Sequence, residues 1–220
     1  MAETFTWGEL DRDGALEEAA SNVDSRAQFL RRAAVGGGVF LGSGALLGTL
    51  AESAQGATPA SDVAILNFAL TLEFLEAEFY TRASRSGGLR GRSAQFSRVV
   101  GAHERAHVAF LRKALGSAAV KKPKFDFKGT TDRVGPFVNT AIVLEDAGVA
   151  AYAGQGPLLK TKAIVSAALS IHSVEARHAA WIRDIKGNGG APSPAPAAFD
   201  KAATKAQILA AVKGTGFIVG

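Results

Sequence analysis

Two stretches of the chain carry the same donors at the same spacing. His103–Phe110 reads HERAHVAF and Val174–Trp181 reads VEARHAAW. Each holds a glutamate, two spacers, a histidine, two more spacers and a large aromatic. Helix positions three apart share a face. Glu104 with His107, and Glu175 with His178, can therefore each present a carboxylate and an imidazole to one ion. Two further glutamates stand out because the chain has only two tyrosines, and each follows a glutamate by seven residues: Glu73 with Tyr80, Glu145 with Tyr152.

These pairs belong to a repeat. Asn67, Leu72, Glu73 and Tyr80 fall on Asn139, Leu144, Glu145 and Tyr152 at an offset of 72, and Glu104, His107, Phe110 and Arg112 fall on Glu175, His178, Trp181 and Arg183 at an offset of 71. The pattern is that of a duplicated helical hairpin. Glu73 shares its stripe with Leu66, Leu70, Ala77 and Tyr80, and Glu145 shares its own with Val138, Ile142, Val149 and Tyr152. A carboxylate set in an apolar face is costly unless it is paired or metal-bound. Four of them together repel or take up protons. Two divalent cations cancel four carboxylates, and two histidines complete the set. One glutamate from each of two helices plus Glu-x-x-His from the other two is the ligand pattern of di-iron and di-manganese carboxylate bundles.

The elements that must position these residues are helical. Apolar residues make up 47% of the 220-residue chain, much of it alanine, with 8% aromatic. Long segments rich in alanine and leucine favour helices. The first helix is expected from a cap at Ser61 or Asp62 to the SGG at 86–88, the second from about Ser93 to Leu115. The third is expected from near Thr131, capped by Asp132, or from Gly135-Pro136, to the GQGP at 154–157. The fourth runs from Pro157, a favoured first-turn residue, to Lys186, and a short last helix covers Thr204–Gly214. No stretch reads as a strand. The connection from Ser117 to Thr130 can span about 45 Å at about 3.3 Å per residue, enough to run the length of a bundle. Two hairpins joined by such a crossover make a standard four-helix topology.

The N-terminal quarter reads differently. Residues 1–56 hold four basic against eight acidic residues, and residues 57–220 hold 21 against 12. A polar, acidic, disordered extension is expected over 1–24. Over 25–57, Arg26, Arg31 and Arg32 precede an uncharged apolar run from Ala33 to Ala51 and then small residues, the layout of a secretory signal. The alternative for residues 33–51 is a retained membrane anchor, since the run is near the ~20 residues a spanning helix needs. Ser25-Arg26-x-x-Phe29-Leu30-Arg31 resembles a twin-arginine export signal, with Ala27 in place of the second arginine. Bundle and tail divide at 58–190 and 191–220. The chain has no cysteine and only Met1 as methionine. That excludes disulfides, thiolate zinc and iron–sulfur sites, and cysteine nucleophiles.

With these residues in place, the sequence resembles the ferritin-like superfamily over about 61–186, and within it the exported or desiccation-related branch. The resemblance implies an all-α, ferritin-like antiparallel four-helix bundle with a short C-terminal helix. It implies two iron ions, or manganese, held by Glu73, Glu104, His107, Glu145, Glu175 and His178. Glu104 and Glu175 would bridge, Glu73 and Glu145 would be terminal, and Tyr80 and Tyr152 would be hydrogen-bond partners behind the ligands. The activity implied is oxidation of Fe(II) by O₂ or H₂O₂ in an exported stress-protection protein. The alternatives are a manganese catalase-like dismutase and a non-enzymatic stress protein with a structural metal. Export argues against a nucleic-acid partner; the assembly state is left open, with a homo-oligomer as one option. Glu76 is an alternative or extra ligand. Glu78 and Asp146 are expected at the surface, His103 exposed and off the ligand face, and His172 hydrogen-bonded in the core or at its rim.

Overall fold

The computed structural model describes residues 58–219, so the expectations for 1–24 and 25–57 lie outside the described residues. Among the described residues five α-helices follow one another: α1 Ala60–Arg85, α2 Gly91–Leu115, α3 Val134–Gln155, α4 Lys162–Gly187 and α5 Lys205–Thr215. The first four form two hairpins, α1 with α2 and α3 with α4, packed as an all-α bundle. No strand occurs among the described residues; the one extended pairing is an isolated antiparallel bridge between Phe125 and Ile218. None of the described helices is long and apolar enough to cross a membrane.

Several helix starts differ from the expectation. The first helix has Pro59 at its N-cap, and neither Ser61 nor Asp62 caps it. Asp62 is instead fully buried, and its carboxylate accepts from the backbone N–H groups of Lys160 (3.0 Å) and Thr161 (2.9 Å). It thereby ties the start of α1 to the turn before α4. Burial works to raise its pKa, but these hydrogen bonds outweigh it and hold the carboxyl below its usual range. Pro157 lies in a 3₁₀ turn, Gly156–Leu158, and α4 starts only at Lys162. The third helix starts at Val134 with Arg133 as N-cap, so neither Thr131 nor Asp132 opens it. Both residues lie in the crossover, and Ser86 Oγ, at the end of α1, donates to Thr131 O at 3.1 Å.

Asp62→Ala takes the shared acceptor from the N–H groups of Lys160 and Thr161, and hydrogen bonds to a charged group are worth about 1.5–3 kcal/mol. We expect the variant to lose about 2 kcal/mol of stability, read as a lower denaturation midpoint with an unchanged slope.

The crossover from Gly116 to Arg133 runs along the bundle. Asn67 pins its start by donating to Ala118 O (2.9 Å) and accepting from Val120 N (2.8 Å). Its own Phe125 and Phe127 turn inward and are buried. The C-terminal tail closes over α3. Thr204 and Gln207 form a capping box at α5, Ala203 N donates to Ala150 O at 3.0 Å, and a Cβ at Gly154 would come within 2.0 Å of Ala203 O. Only glycine lets the tail lie this close.

Candidate metal centre

Each of the four long helices sends charged groups into the bundle interior. Glu73 and Glu76 come from α1, Glu104 and His107 from α2, Glu145 from α3, and Glu175 and His178 from α4. All five carboxylates are at most 3% exposed. The side chains of His107 and His178 are 12% and 3% exposed. The six residues expected from the sequence thus converge in one place.

They converge as two overlapping groups. Glu73, Glu104, His107 and Glu175 offer donor atoms that all lie within 4.8 Å of one another, and so do Glu104, Glu145, Glu175 and His178. His107 Nδ1 lies 3.2 Å from Glu73 Oε2, 3.1 Å from Glu104 Oε2 and 3.1 Å from Glu175 Oε1. His178 Nδ1 lies 3.1 Å from Glu104 Oε1, 3.3 Å from Glu145 Oε2 and 3.7 Å from Glu175 Oε2. Glu104 and Glu175 therefore turn one oxygen to each histidine.

The second group is short of hydrogen bonds. Glu104 Oε1, Glu145 Oε2, both oxygens of Glu175 and His178 Nδ1 are buried without a hydrogen-bond partner. These atoms crowd around a common point without the alignment that would make them partners. Buried polar atoms are nearly always satisfied, so a cluster of orphans facing one another fits a cation between them. Oxygen and imidazole donors without thiolate suit iron or manganese.

Charge gives the same result. Burial, and then the Glu175 charge, push Glu104 well above the usual carboxylate range; Glu76 is pushed up likewise. Burial raises Glu145 to about 7 although His178 and Tyr80 work to lower it. Burial would also raise Glu175, but His107 and His178 outweigh it and bring it to about 2. Burial would lower His178, yet the carboxylates around it lift it to about 12. His107 is lifted as well, against its burial, first by the charge of Glu73. Without a cation, then, the cluster holds itself together with protons.

The tyrosines reach the other hairpin's glutamate rather than their own. Tyr80 Oη donates to Glu145 Oε1, and Tyr152 Oη donates to Glu73 Oε1 at 2.6 Å. Seven residues rise about 10 Å along a helix, which separates each tyrosine from the glutamate on its own stripe. Because α1 and α3 run antiparallel, seven steps up one helix match seven steps down the other. Tyr80 is thereby level with Glu145, and Tyr152 with Glu73. Groups that orient ligands in this way are typically worth about 10–100-fold in metal affinity. Tyr152→Phe is expected to weaken metal binding within that range while the helical circular dichroism stays unchanged. An unaltered binding isotherm would show that the phenol orients nothing.

Glu76 is a fifth carboxylate in the cluster. Its repeat counterpart is Gly148, where a Cβ would meet both Glu76 Oε1 and Glu175 Oε2 at 3.4 Å. The missing side chain at 148 is the space this carboxylate uses. His103 is exposed as expected, but it is engaged. Its Nδ1 is 2.9 Å from His178 Nε2 and the two rings stack at 5.1 Å. The i,i+4 relation of its neighbour His107 gave no hint of this contact, which crosses from α2 to α4. His172 is outside both groups; it is partly buried and its Nδ1 has no partner, rather than being hydrogen-bonded. Glu78 pairs with Arg82 at 2.8 Å and with Lys122, and Asp146 pairs with Arg183.

A helical bundle with a buried carboxylate–imidazole cluster compatible with a metal site defines the class of this molecule. Residues 61–188 match the family model described as "Ferritin-like domain", and the chain belongs to that family. No curated protein matches the chain.

Proposed function

We propose that the cluster holds two iron ions and that the protein oxidises Fe(II) with O₂ or H₂O₂. One observation carries this reading: two donor groups, each with its own histidine and its own outer glutamate, share Glu104 and Glu175. Glu73 and His107 would hold one ion, Glu145 and His178 the other, and Glu104 and Glu175 both. Manganese is the alternative metal for the same donors. A pair of iron ions would supply two electrons, one from each, reducing H₂O₂ with two protons to two waters or O₂ to H₂O₂.

The chain's own residues have separate tasks. Tyr80 and Tyr152 orient Glu145 and Glu73. Both phenols stay protonated, since burial and the adjacent carboxylates raise them well above the usual tyrosine range. His103 fixes the ring of His178 by engaging Nε2, which leaves Nδ1 facing the carboxylates. Glu76 adds a carboxylate on the Glu175 side. Phe79, Phe96, Phe137 and Trp181 pack beyond Tyr80, with ring centroids 5.4 Å apart for Phe79–Phe137 and 5.1 Å for Phe96–Trp181, and keep water from that end.

The test is to load the protein with Fe(II) without oxygen, add O₂ or H₂O₂, and follow consumption of the oxidant together with formation of Fe(III). Turnover of either oxidant is expected, with loss of turnover in His107→Ala and His178→Ala. If iron-loaded protein consumes neither, the centre is structural or serves manganese.

A further inference from the structure

The two ends of the bundle beyond the cluster are related by the repeat, but only one of them is filled. At the Tyr80 end sit Phe79, Phe96, Phe137 and Trp181. Their counterparts at the Tyr152 end, at the offsets of 72 and 71, are Ala151, Ala167, Ile65 and Phe110. The alanines at 151 and 167 lack the ring volume of Phe79 and Phe96, and Phe68, whose counterpart is Thr140, borders the space without filling it. What remains is a cavity of about 20 Å³ whose lining includes Ile65, Phe110 and Ala151.

The cavity lies on the bundle axis, because all four long helices line it: Ala69 and Leu72 from α1, Phe110 from α2, Tyr152 from α3, Ile171 from α4. These positions are within two turns of a cluster residue on the same helix. Ala69 is four residues before Glu73, Phe110 three after His107, Tyr152 seven after Glu145 and Ile171 four before Glu175. Its walls are apolar apart from Tyr152 and Gln155. Tyr152 Oη is already bonded to Glu73. About 10–15 Å³ suffices for one water, but a water also needs two to four polar partners, and apolar cavities stay dry and take up apolar guests. The space thus admits one small molecule and selects against a polar one.

We propose that this cavity is a binding site for dioxygen, placed between the Tyr152 end of the bundle and the carboxylate cluster. The choice of dioxygen among small apolar guests rests on the oxidation reading above. It also deepens that reading, because hydrogen peroxide, a polar molecule, would find only the Gln155 amide and the already engaged Tyr152 hydroxyl in walls that are otherwise apolar. Binding here is non-covalent and moves no electrons.

The experiment uses the full chain loaded with zinc, which is diamagnetic and redox-inert, with isotope-labelled methyl groups. Spectra are recorded under dioxygen and under the same pressure of nitrogen. Dioxygen is paramagnetic, so a bound molecule speeds relaxation of the methyls around it. Enhanced relaxation is expected at Ala151, Ala168 and Ile171, and not at Val100 and Ile182, which are at least as deeply buried at the filled end. Ala151→Phe, which installs the residue of the counterpart position 79, and the milder Ala168→Leu should each remove the enhancement. Equal relaxation at both ends, or an enhancement that survives in a folded filled variant, would overturn the proposal. In iron-loaded protein the filled variants should raise the KM for O₂ and leave peroxide-driven oxidation unchanged; an unaltered KM also overturns it. Dioxygen found in the cavity of a protein that oxidises no iron would sink the oxidation reading and leave the binding site standing. Iron oxidation with no dioxygen in the cavity would do the reverse.

Discussion

Glu104→Ala and Glu175→Ala should each abolish binding of both metal ions, whereas Glu73→Ala and Glu145→Ala should each remove one. The asymmetry follows from which oxygen faces which histidine. Glu104 turns Oε2 to His107 and Oε1 to His178, both at 3.1 Å. Glu175 turns Oε1 to His107 at 3.1 Å and Oε2 to His178 at 3.7 Å. Deleting either carboxylate takes a donor from both positions at once. Glu73 belongs to only one group and Glu145 to only the other. Groups outside the coordination sphere are already worth about 10–100-fold in affinity, so loss of a shared ligand should exceed 100-fold. Calorimetric titration with Mn(II), or with Fe(II) under nitrogen, gives the stoichiometry. Two ions on wild type, one on Glu73→Ala and none measurable on Glu104→Ala is the expected series. Two ions retained by Glu104→Ala would refute the shared arrangement.

Removing metal should make stability fall as pH rises through neutrality. Glu145 titrates at about 7 in the folded protein against 4.5 as its ordinary value. A raised pKa means that the folded state holds the proton more tightly than the unfolded chain. The resulting stability is complete below about pH 4.5 and is lost as pH climbs through about 7. His178, raised from 6.5 to about 12, acts in the same direction: its contribution is present below about 6.5 and fades as pH rises toward 12. Glu175, lowered from 4.5 to about 2, acts in the opposite sense and is lost as pH falls from 4.5 toward 2. The metal-free protein should therefore be most stable near pH 4.5 and weaken on both sides, more steeply above pH 6.5 where His178 joins Glu145. With metal bound, the cation replaces protons among the carboxylates, and the loss on the alkaline side should disappear. A ligand at 100 times its Kd adds about 2.7 kcal/mol per site. At the acid end, protons compete with metal for the same donors, so the metal-loaded and metal-free curves should merge. Thermal midpoints across pH, in chelator and in excess Mn(II), check this. Parallel curves would mean that the carboxylates do not hold the ion.

Much of this was legible in the chain because helices convert spacing into position. A three-residue step places Glu104 with His107 and Glu175 with His178 on one face, whatever the helices pack against. The duplicated frame picked out Glu73 and Glu145 as their partners, and the apolar stripes around them indicated burial. Their exposures of 1% and 0% agree. Helix ends were less legible where the deciding contact is distant. Asp62 reads locally as a cap but binds backbone 98 and 99 residues away. Pro157 reads as a helix start but falls in a 3₁₀ turn.

What the sequence by itself determined is the inventory: an all-helical, twice-repeated chain, without thiols, whose four glutamates and two histidines recur at matched spacing. Those properties depend on residue type and on the 3.6-residue period alone. Only the tertiary structure decided which groups meet across helices. The antiparallel run of α1 and α3 gave Tyr80 to Glu145 and Tyr152 to Glu73. The packing of α2 on α4 brought His103 onto His178. The gap at Gly148 admitted Glu76, and alanines opposite Phe79 and Phe96 left one end of the core open. Each of these contacts depends on helix direction, rotation and interhelical distance, which are set by packing of the whole core and leave no local pattern in the chain.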